Sequence, residues 1–151
     1  MTIISQDLPA VIKQAQLAPS TLPSNVSLAV HNFFEPQTVS AAAYLFRLIL
    51  HCWSDASCRR ILRSLLPVMR HETRLIIMDL VMKAPGTQPV WLEQQHGKEP
   101  LVMSLLYDGT ERDLEEWKEL VESVDKRFVF QKVVQPEGSI LGILEWIWVD
   151  E

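Results

Sequence analysis

Short apolar segments alternate with amphipathic segments along nearly the whole chain, a pattern typical of strands joined by helices. In the first half, the pattern predicts strands over Thr2–Gln6 and Asn25–Val30, separated by a short helix over Ala10–Gln16. The apolar segment Ala43–Leu50 is interpreted as a buried strand, although its length and periodicity equally allow a helix. These elements favour an α/β fold with a mainly parallel sheet.

Periodic apolar positions mark two helices further along the chain. Ser54 is expected to cap a helix over Asp55–Met69, and Asp113 to cap a helix over Leu114–Val124. The other predicted elements are a strand over Arg74–Leu80, a helical stretch over about Val90–Leu106, and strands over Phe128–Val134 and Ile140–Val149. The last two strands flank a turn-rich segment, so they should pair antiparallel at one edge of the sheet.

The composition predicts one domain with a substantial core, because 48% of the 151 residues are hydrophobic and 22% are charged. Fourteen basic and 19 acidic residues give a net charge of −5, so no basic field exists to attract nucleic-acid phosphates or an anionic membrane. No apolar stretch reaches the ~18 residues of a membrane span, and the N-terminal residues do not form a secretory signal. We therefore expect a cytoplasmic protein that binds neither nucleic acid nor membrane.

Cysteine and glycine usage narrows the candidate chemistry. Cys52 and Cys58 are too few and too close for a disulfide framework, and no second Cys/His pair has zinc-ligand spacing. We expect two reduced thiols and no metal. None of the 5 glycines precedes Gly86, so the first half contains no glycine-rich phosphate or dinucleotide loop.

Five short motifs occur in order along the chain: Gln6-Asp7-Leu8-Pro9, His31-Asn32-Phe33-Phe34, Leu50-His51-Cys52-Trp53-Ser54-Asp55, Ile76-Ile77-Met78-Asp79 and Asp108-Gly109-Thr110-Glu111-Arg112. In this order and spacing the chain resembles the S-adenosylmethionine-dependent small-molecule O-methyltransferases of plants and fungi, from Gln6 to the final strand. The resemblance implies a Rossmann-like methyltransferase sheet with flanking helices. It also implies S-adenosylmethionine as cofactor and methyl transfer to a hydroxyl of a small aromatic or polyketide-type metabolite.

The same resemblance implies three catalytic residues. His51 matches the general base of the family, and Asp79 and Glu111 match acids that flank this histidine and fix its orientation. An imidazole is about 3.5 pKa units less basic than a phenolate, so proton removal must accompany methyl transfer. Each residue also has a simpler interpretation: His51 as a packed core histidine, Asp79 as a strand-end turn residue, and Glu111 as a first-turn helix acid.

Four further positions match cofactor contacts of the family. Asp7 corresponds to the residue that binds the ribose hydroxyls, Asn32 and Phe33 to residues at the adenine, and Arg47 to a basic position near the cofactor. Met103 matches a substrate-contacting methionine. The alternatives are a helix or turn cap for Asp7, core packing for Phe33 and Met103, and an ion pair with an acid at the sheet edge for Arg47.

The resemblance starts at the second strand of the family's sheet. It implies that the first, central strand, its glycine-rich loop and the N-terminal helical domain are missing, so residues 1–151 are expected to be a single truncated O-methyltransferase catalytic domain. Loss of a central strand leaves two unpaired strand edges. We therefore expect self-association, or a partner chain, to cover them.

Three motif positions depart from the family pattern. Asn32 and Cys52 stand where the family has aspartate, and Thr110 stands where it has lysine. Thr110 counts against full activity, and Asn32 and Cys52 favour an alternative in which the chain is a remnant that does not methylate. In that case it would act as a binding or scaffolding partner, or shape a pocket for a non-methylating reaction.

Overall fold

The computed structural model describes residues 1–18, 22–83, 109–136, 139 and 141–150. Its strands are β1 (Ile3–Asp7), β2 (Val26–Val30), β3 (Ala43–Arg47), β4 (Arg74–Met82), β5 (Arg112–Asp113), β6 (Phe128–Val134) and β7 (Leu141–Trp148). Its helices are α1 (Pro9–Leu17), α2 (Asp55–Ser64) and α3 (Leu114–Glu122), and 3₁₀ turns lie at Leu50–Cys52 and Leu66–Val68. The strand and helix predictions within these residues are confirmed in kind, with shifted bounds. The predicted helix over Val90–Leu106 lies outside the described residues.

The strands form two separate sheets. β1 and β2 pair in parallel, from Ile3 opposite Val26 to Asp7 opposite Val30. The larger sheet has the order β3-β4-β7-β6, and the two-residue β5 pairs in parallel with the end of β4. β3 is parallel to β4, whereas β7 is antiparallel to both of its neighbours. The predicted antiparallel pair at the sheet edge is thus confirmed, with β6 as the edge strand.

One hydrophobic core joins the larger sheet to the helices that follow β3 and β5. Its fully buried side chains come from α2, β4, α3 and β7, among them Ile61, Leu75, Trp117, Leu120 and Trp146. Trp117 also donates from its indole nitrogen to the Leu80 carbonyl oxygen at 3.0 Å, so this buried polar atom is satisfied. β4 is the central strand, because it pairs with β3, β5 and β7 and its side chains lie in the core.

The two predicted helix caps have different outcomes. α3 begins with a capping box, in which the Asp113 carboxylate accepts from the Glu116 N–H and the Glu116 carboxylate accepts from the Asp113 N–H. Ser54 occupies the N-cap position of α2 but makes no capping hydrogen bond, and its hydroxyl contacts Ser57 instead. The prediction that α2 extends to Met69 is wrong. The helix ends at Ser64, and the next turn is 3₁₀ because Pro67 has no N–H for an α-helical bond.

The prediction of a buried strand over Ala43–Leu50 is correct for the strand and wrong for its burial. β3 ends at Arg47, and Leu45 is 61% exposed. Among the described strands, β3 pairs with β4 alone, so it is an edge strand with one side open. Leu48 then adopts a left-handed backbone conformation with φ of 53°, which turns the chain out of the sheet and into the 3₁₀ turn at Leu50–Cys52.

β1 also has an unpaired edge, since β2 is its one partner among the described strands. Gln37 ties this small sheet to the rest of the molecule. Its buried side-chain amide donates to the Gln6 amide oxygen at 2.7 Å, and its backbone N–H donates to the Ser64 carbonyl at the end of α2 at 2.8 Å. Phe33 and Phe34, which follow β2, also pack against the main core, so polar and aromatic contacts join the two sheets without a shared strand among the described residues.

None of the helices that the structure describes has both the length and the apolar character needed to cross a bilayer.

Candidate active site

Three of the predicted site residues meet at the carboxyl end of the larger sheet. His51 lies in the 3₁₀ turn that follows β3, Asp79 lies within β4, and Glu111 directly precedes β5. β3, β4 and β5 are mutually parallel, so the segments that follow them or end them reach the same edge of the sheet. The strand-end turn interpretation of Asp79 is wrong, because this residue lies inside a nine-residue strand and is fully buried.

The His51 ring lies between the two carboxylates. Its Nδ1 is 3.0 Å from Glu111 Oε1 and 3.6 Å from Asp79 Oδ1. The second Asp79 oxygen faces the His51 backbone N–H at 3.4 Å, so this acid contacts both the ring and the main chain of the histidine. With Glu111 ionised and the ring neutral, this hydrogen bond assigns the ring proton to Nδ1, and the basic nitrogen of that tautomer is Nε2.

The cluster concentrates negative charge in a dry environment. His51, Asp79 and Glu111 are 6%, 0% and 8% exposed. Burial raises the pKa of Asp79 to about 6, although the neighbouring His51 opposes this shift. Glu111 Oε2 is buried and has no hydrogen-bond partner among the described residues. Asp79 also accepts from the Leu80 backbone N–H at 3.0 Å, so the main chain and the imidazole together compensate its burial.

The same three residues are the group, within the described part of the chain, whose ligand atoms could converge on a metal ion, since these atoms lie within 4.8 Å of one another. One imidazole and two carboxylates form a donor set known from metal sites. A metal ion would require the lone pair of Nδ1 and a Glu111 oxygen, and these two atoms lie 3.0 Å apart in a hydrogen bond with each other. The hydrogen bond accounts for the arrangement without an ion.

Close backbone packing holds the His51 turn in place. Gly109 is buried against it, and a Cβ at this position would collide with the His51 carbonyl oxygen. The Thr110 N–H donates to that same oxygen at 3.1 Å. On the other side, the Leu48 N–H donates to the Met78 carbonyl at 3.1 Å. The ring is thus carried by a segment that is fixed at both ends.

Two of the predicted cofactor residues lie next to each other at the ends of β1 and β2. The His31 N–H donates to the Asp7 carbonyl at 2.9 Å, which brings Asn32 close to the end of β1. Asp7 is exposed, and its Oδ1 accepts from the Leu8 N–H at 2.7 Å. The Asn32 side chain accepts from the Phe34 N–H at 3.1 Å. Both side chains therefore keep donor or acceptor atoms beyond those used in their local turns.

The remaining predicted site residues are more dispersed. Phe33 is half-buried and packs edge to face against Phe34 and Trp53, with ring centroids 5.0 and 6.0 Å away. Arg47 is exposed at the end of β3, and the predicted ion pair with an acid is not found among the described residues. Met103 lies outside the described residues.

The sequence predicts no role for Arg112, although it ends the fifth motif. In the structure its guanidinium is 2% exposed and contacts both the His51 turn and the segment that carries Glu111. The one signal in the sequence is its position directly after Glu111, which keeps Arg112 close to the predicted site. The contact itself depends on residues more than 50 positions apart.

Comparison with known proteins gives consistent matches. The model of the O-methyltransferase domain family matches residues 1–125. The 6-hydroxytryprostatin B O-methyltransferase of Aspergillus fumigatus is 39% identical over 145 residues, which are 96% of this chain and 42% of that protein. The chain therefore spans about two fifths of the length of this relative.

Solved structures agree with these sequence matches. The structure of LepI in complex with SAM matches with a TM-score of 0.82 at 29% identity, over 99% of this chain and 36% of the LepI chain. LepI has also been solved with SAH and a substrate analogue. A structure described as "A Pericyclic Reaction enzyme" matches with a TM-score of 0.79 at 28% identity, over 99% of this chain and 36% of that chain. The predicted Rossmann-like α/β fold is confirmed.

Proposed function

Since the chain belongs to the O-methyltransferase domain family, we propose that it supplies the catalytic part of a methyl transfer from S-adenosylmethionine to a hydroxyl of a small aromatic or polyketide-type metabolite. The observation that carries the proposal is the His51 ring, which is held through Nδ1 between two buried carboxylates. Such a ring has one proton acceptor in a fixed direction, as a general base requires.

His51 would act through Nε2. S-adenosylmethionine, when bound, supplies a methyl group on a positively charged sulfur. As the acceptor oxygen forms its bond to that methyl carbon and the carbon–sulfur bond breaks, Nε2 takes the hydroxyl proton. Glu111 and Asp79 keep the ring oriented and stabilise the imidazolium that results. The cluster would thus hold the substrate proton on His51 and balance the positive charge of the imidazolium with the two carboxylates.

The described residues fit the adenosine part of the cofactor. Asp7 is exposed at the end of β1, where its carboxylate would suit the ribose hydroxyls, and Asn32 and Phe33 follow β2 and match the positions at which the family contacts adenine. His31 Nε2 is buried beside them without a hydrogen-bond partner among the described residues, which provides one more polar atom for a bound ligand. Arg47 adds a positive charge at the end of β3. Met103 is proposed as a contact to the acceptor.

β1 and β3 each have one edge that no other described strand pairs with. Ile3, Ile4 and Leu45 on these strands are between 40% and 61% exposed. We propose that self-association or a partner chain covers them, because open strand edges with apolar side chains readily pair with another polypeptide. Formation of the complete substrate pocket would accompany this covering.

A second candidate function is a reaction other than methylation in the same pocket. Asn32 and Cys52 replace aspartates of the family pattern, and one matched structure is described as a pericyclic enzyme. In this case S-adenosylmethionine would bind without losing its methyl group. The chain could equally serve as a binding partner in a larger assembly.

Calorimetric titration with S-adenosylmethionine, followed by an assay of methylated product on a panel of phenols, separates these candidates. Methyl transfer that falls about 10²- to 10⁴-fold in His51→Gln, with cofactor affinity unchanged, would support the general-base proposal. His71→Gln is the matched control, since His71 is exposed and distant from the cluster. Binding of S-adenosylmethionine without methylated product would favour the second candidate. Absence of binding would overturn both proposed reactions, methylation and the alternative in the same pocket.

A further inference from the structure

Arg112 is a fully buried cation that is held by backbone carbonyls. Its Nη1 donates to the Leu50 carbonyl at 3.3 Å and to the Thr110 carbonyl at 3.0 Å, and its Nη2 donates to the Trp53 carbonyl at 3.0 Å. Leu50 and Trp53 bracket His51 in the chain, and Thr110 is next to Glu111. One guanidinium therefore donates hydrogen bonds both to the turn that carries His51 and to the segment that carries Glu111.

The charge of Arg112 is compensated from one side. Asp55 Oδ1 accepts from both Nε and Nη2, at 3.1 and 2.8 Å. The Trp117 ring lies under the guanidinium, with its centroid 5.0 Å away. Asp55 is about half exposed, so the ion pair spans from solvent into the core. Paired and stacked in this way, the planar group has a single orientation.

These contacts require an arginine. A guanidinium presents five N–H donors in a rigid, planar fork, whereas a lysine ammonium is a point charge with three donors on a flexible stem. A lysine at this position could reach one or two of the carbonyls but not hold all three together with Asp55. Because the guanidinium holds all of these carbonyls at once, it fixes the distance between the His51 turn and the segment that carries Glu111.

We propose that Arg112 is a positioning residue that sets the distance between His51 and Glu111 by holding the backbone on both sides of their hydrogen bond. Arg112 reaches the reaction through His51 and does not act on substrate. The catalytic consequence rests on the proposed function, but the positioning itself does not, and it can be tested in the folded chain without substrate. Where transfer is measurable, Arg112→Lys would lower kcat by up to about 10²-fold, with the KM for cofactor little changed.

The decisive readout is the ring N–H proton of His51 that donates to Glu111. It is observed by NMR on protein carrying ¹⁵N-labelled histidine and assigned by its loss in His51→Gln. In Arg112→Lys this resonance should move or be lost in the same sense as in Glu111→Gln, while cooperative unfolding persists. An unmoved resonance in a folded Arg112→Lys protein would overturn the proposal.

Arg59→Lys is the matched control. Arg59 pairs with the other oxygen of the same Asp55, at 3.3 Å, and it donates to Ser123, remote from the His51 turn. The resonance should stay in place in this variant. An equal shift would attribute the effect to the charge around Asp55 and would also overturn the proposal.

Asp55→Asn decides the question if Arg112→Lys does not fold. The half-exposed Asp55 tolerates replacement better than the buried arginine, and the amide keeps one weaker acceptor for the guanidinium. The resonance should shift in the same direction as in Glu111→Gln, by a smaller amount. No shift in a folded Asp55→Asn protein would contradict the proposal. Failure of the proposed function would appear differently, as absence of cofactor binding in the unmodified chain.

Discussion

Asp79 gives the candidate site a dependence on pH that can be measured through folding. Burial raises its pKa to about 6 from the ordinary value of 3.8, so the folded state holds this proton more tightly than the unfolded state. Its contribution to stability is full below the ordinary pKa and is lost as the pH rises through about 6. Relative to Asp79→Asn, the unmodified protein should lose up to about 3 kcal/mol of unfolding free energy between about pH 3 and pH 7.

Urea unfolding of both proteins across this range measures the difference, and parallel profiles would contradict it. Asp125→Asn is a control with the opposite sign. A hydrogen bond from Arg127 holds the pKa of Asp125 below its usual range, so its stabilising contribution is lost as the pH falls.

At Gly109, the space that a side chain would need is occupied by the backbone of the His51 turn. A methyl group in Gly109→Ala would collide with the His51 carbonyl oxygen, and the backbone must move to make room. We expect a loss of about 1–3 kcal/mol in unfolding free energy, measured with urea, and a displaced His51. Gly142→Ala is the comparison variant, because there a Cβ would lie 2.7 Å from a Val81 side-chain methyl and not from backbone, so a smaller loss is expected. A larger loss at Gly142 would show that backbone packing at Gly109 is not tight.

At the scale of elements, the two helix caps predict opposite results for similar substitutions. Asp113→Ala removes the capping box of α3 and should cost about 1 kcal/mol of unfolding free energy. Ser54→Ala at the N-cap of α2 removes no capping hydrogen bond and should be close to neutral. Thermal or urea unfolding of the pair tests this, and equal costs would mean that Ser54 caps α2 in solution.

The elements also show why sequence reasoning succeeds in one helix and fails in another. α3 is predicted correctly because its apolar stripe and its cap are both local features. α2 is predicted too long because Leu65, Val68 and Met69 remain buried after the helix ends, so the apolar pattern continues while Pro67 changes the backbone. The exposure of Leu45 on β3 is not predicted, since it depends on which strands are neighbours in the sheet and not on the strand itself.

The same distinction applies to the site. His51, Asp79 and Glu111 are predicted because they stand in motifs, and the structure brings them together. Arg112 is missed because its importance comes from contacts with Asp55 and with the carbonyls of a turn that is distant in sequence. Motifs identify the residues that could do chemistry, whereas the residues that hold them in place become visible only when the segments pack.

At the scale of the whole molecule, the division into two sheets is the feature that local patterns describe least well. β1–β2 is linked to the body of the protein through Gln37, through the packing of Phe33 and Phe34 against the core, and through the chain itself, and most positions of β1 are exposed. A two-stranded sheet is marginally stable by itself. We therefore expect this unit to exchange its amide hydrogens faster than β4 and β7, as hydrogen exchange can measure.

β3 has one edge without a partner among the strands that the structure describes, and this leads to a prediction about assembly. Leu45 is 61% exposed beside this edge, and a lysine there would place a charge against any strand that pairs with it. If the chain self-associates through β3, Leu45→Lys should weaken association at least about tenfold in sedimentation velocity, with stability little changed. Val134→Lys is the control, since Val134 is 46% exposed on the opposite edge strand, β6. Equal weakening by both variants would point to general adhesion of exposed apolar residues. If the unmodified chain is a monomer at all concentrations and unfolds in one sharp cooperative transition, the β3 edge is stable without a covering chain. Weakening by Leu45→Lys alone would identify this edge as the surface where a second polypeptide pairs with β3.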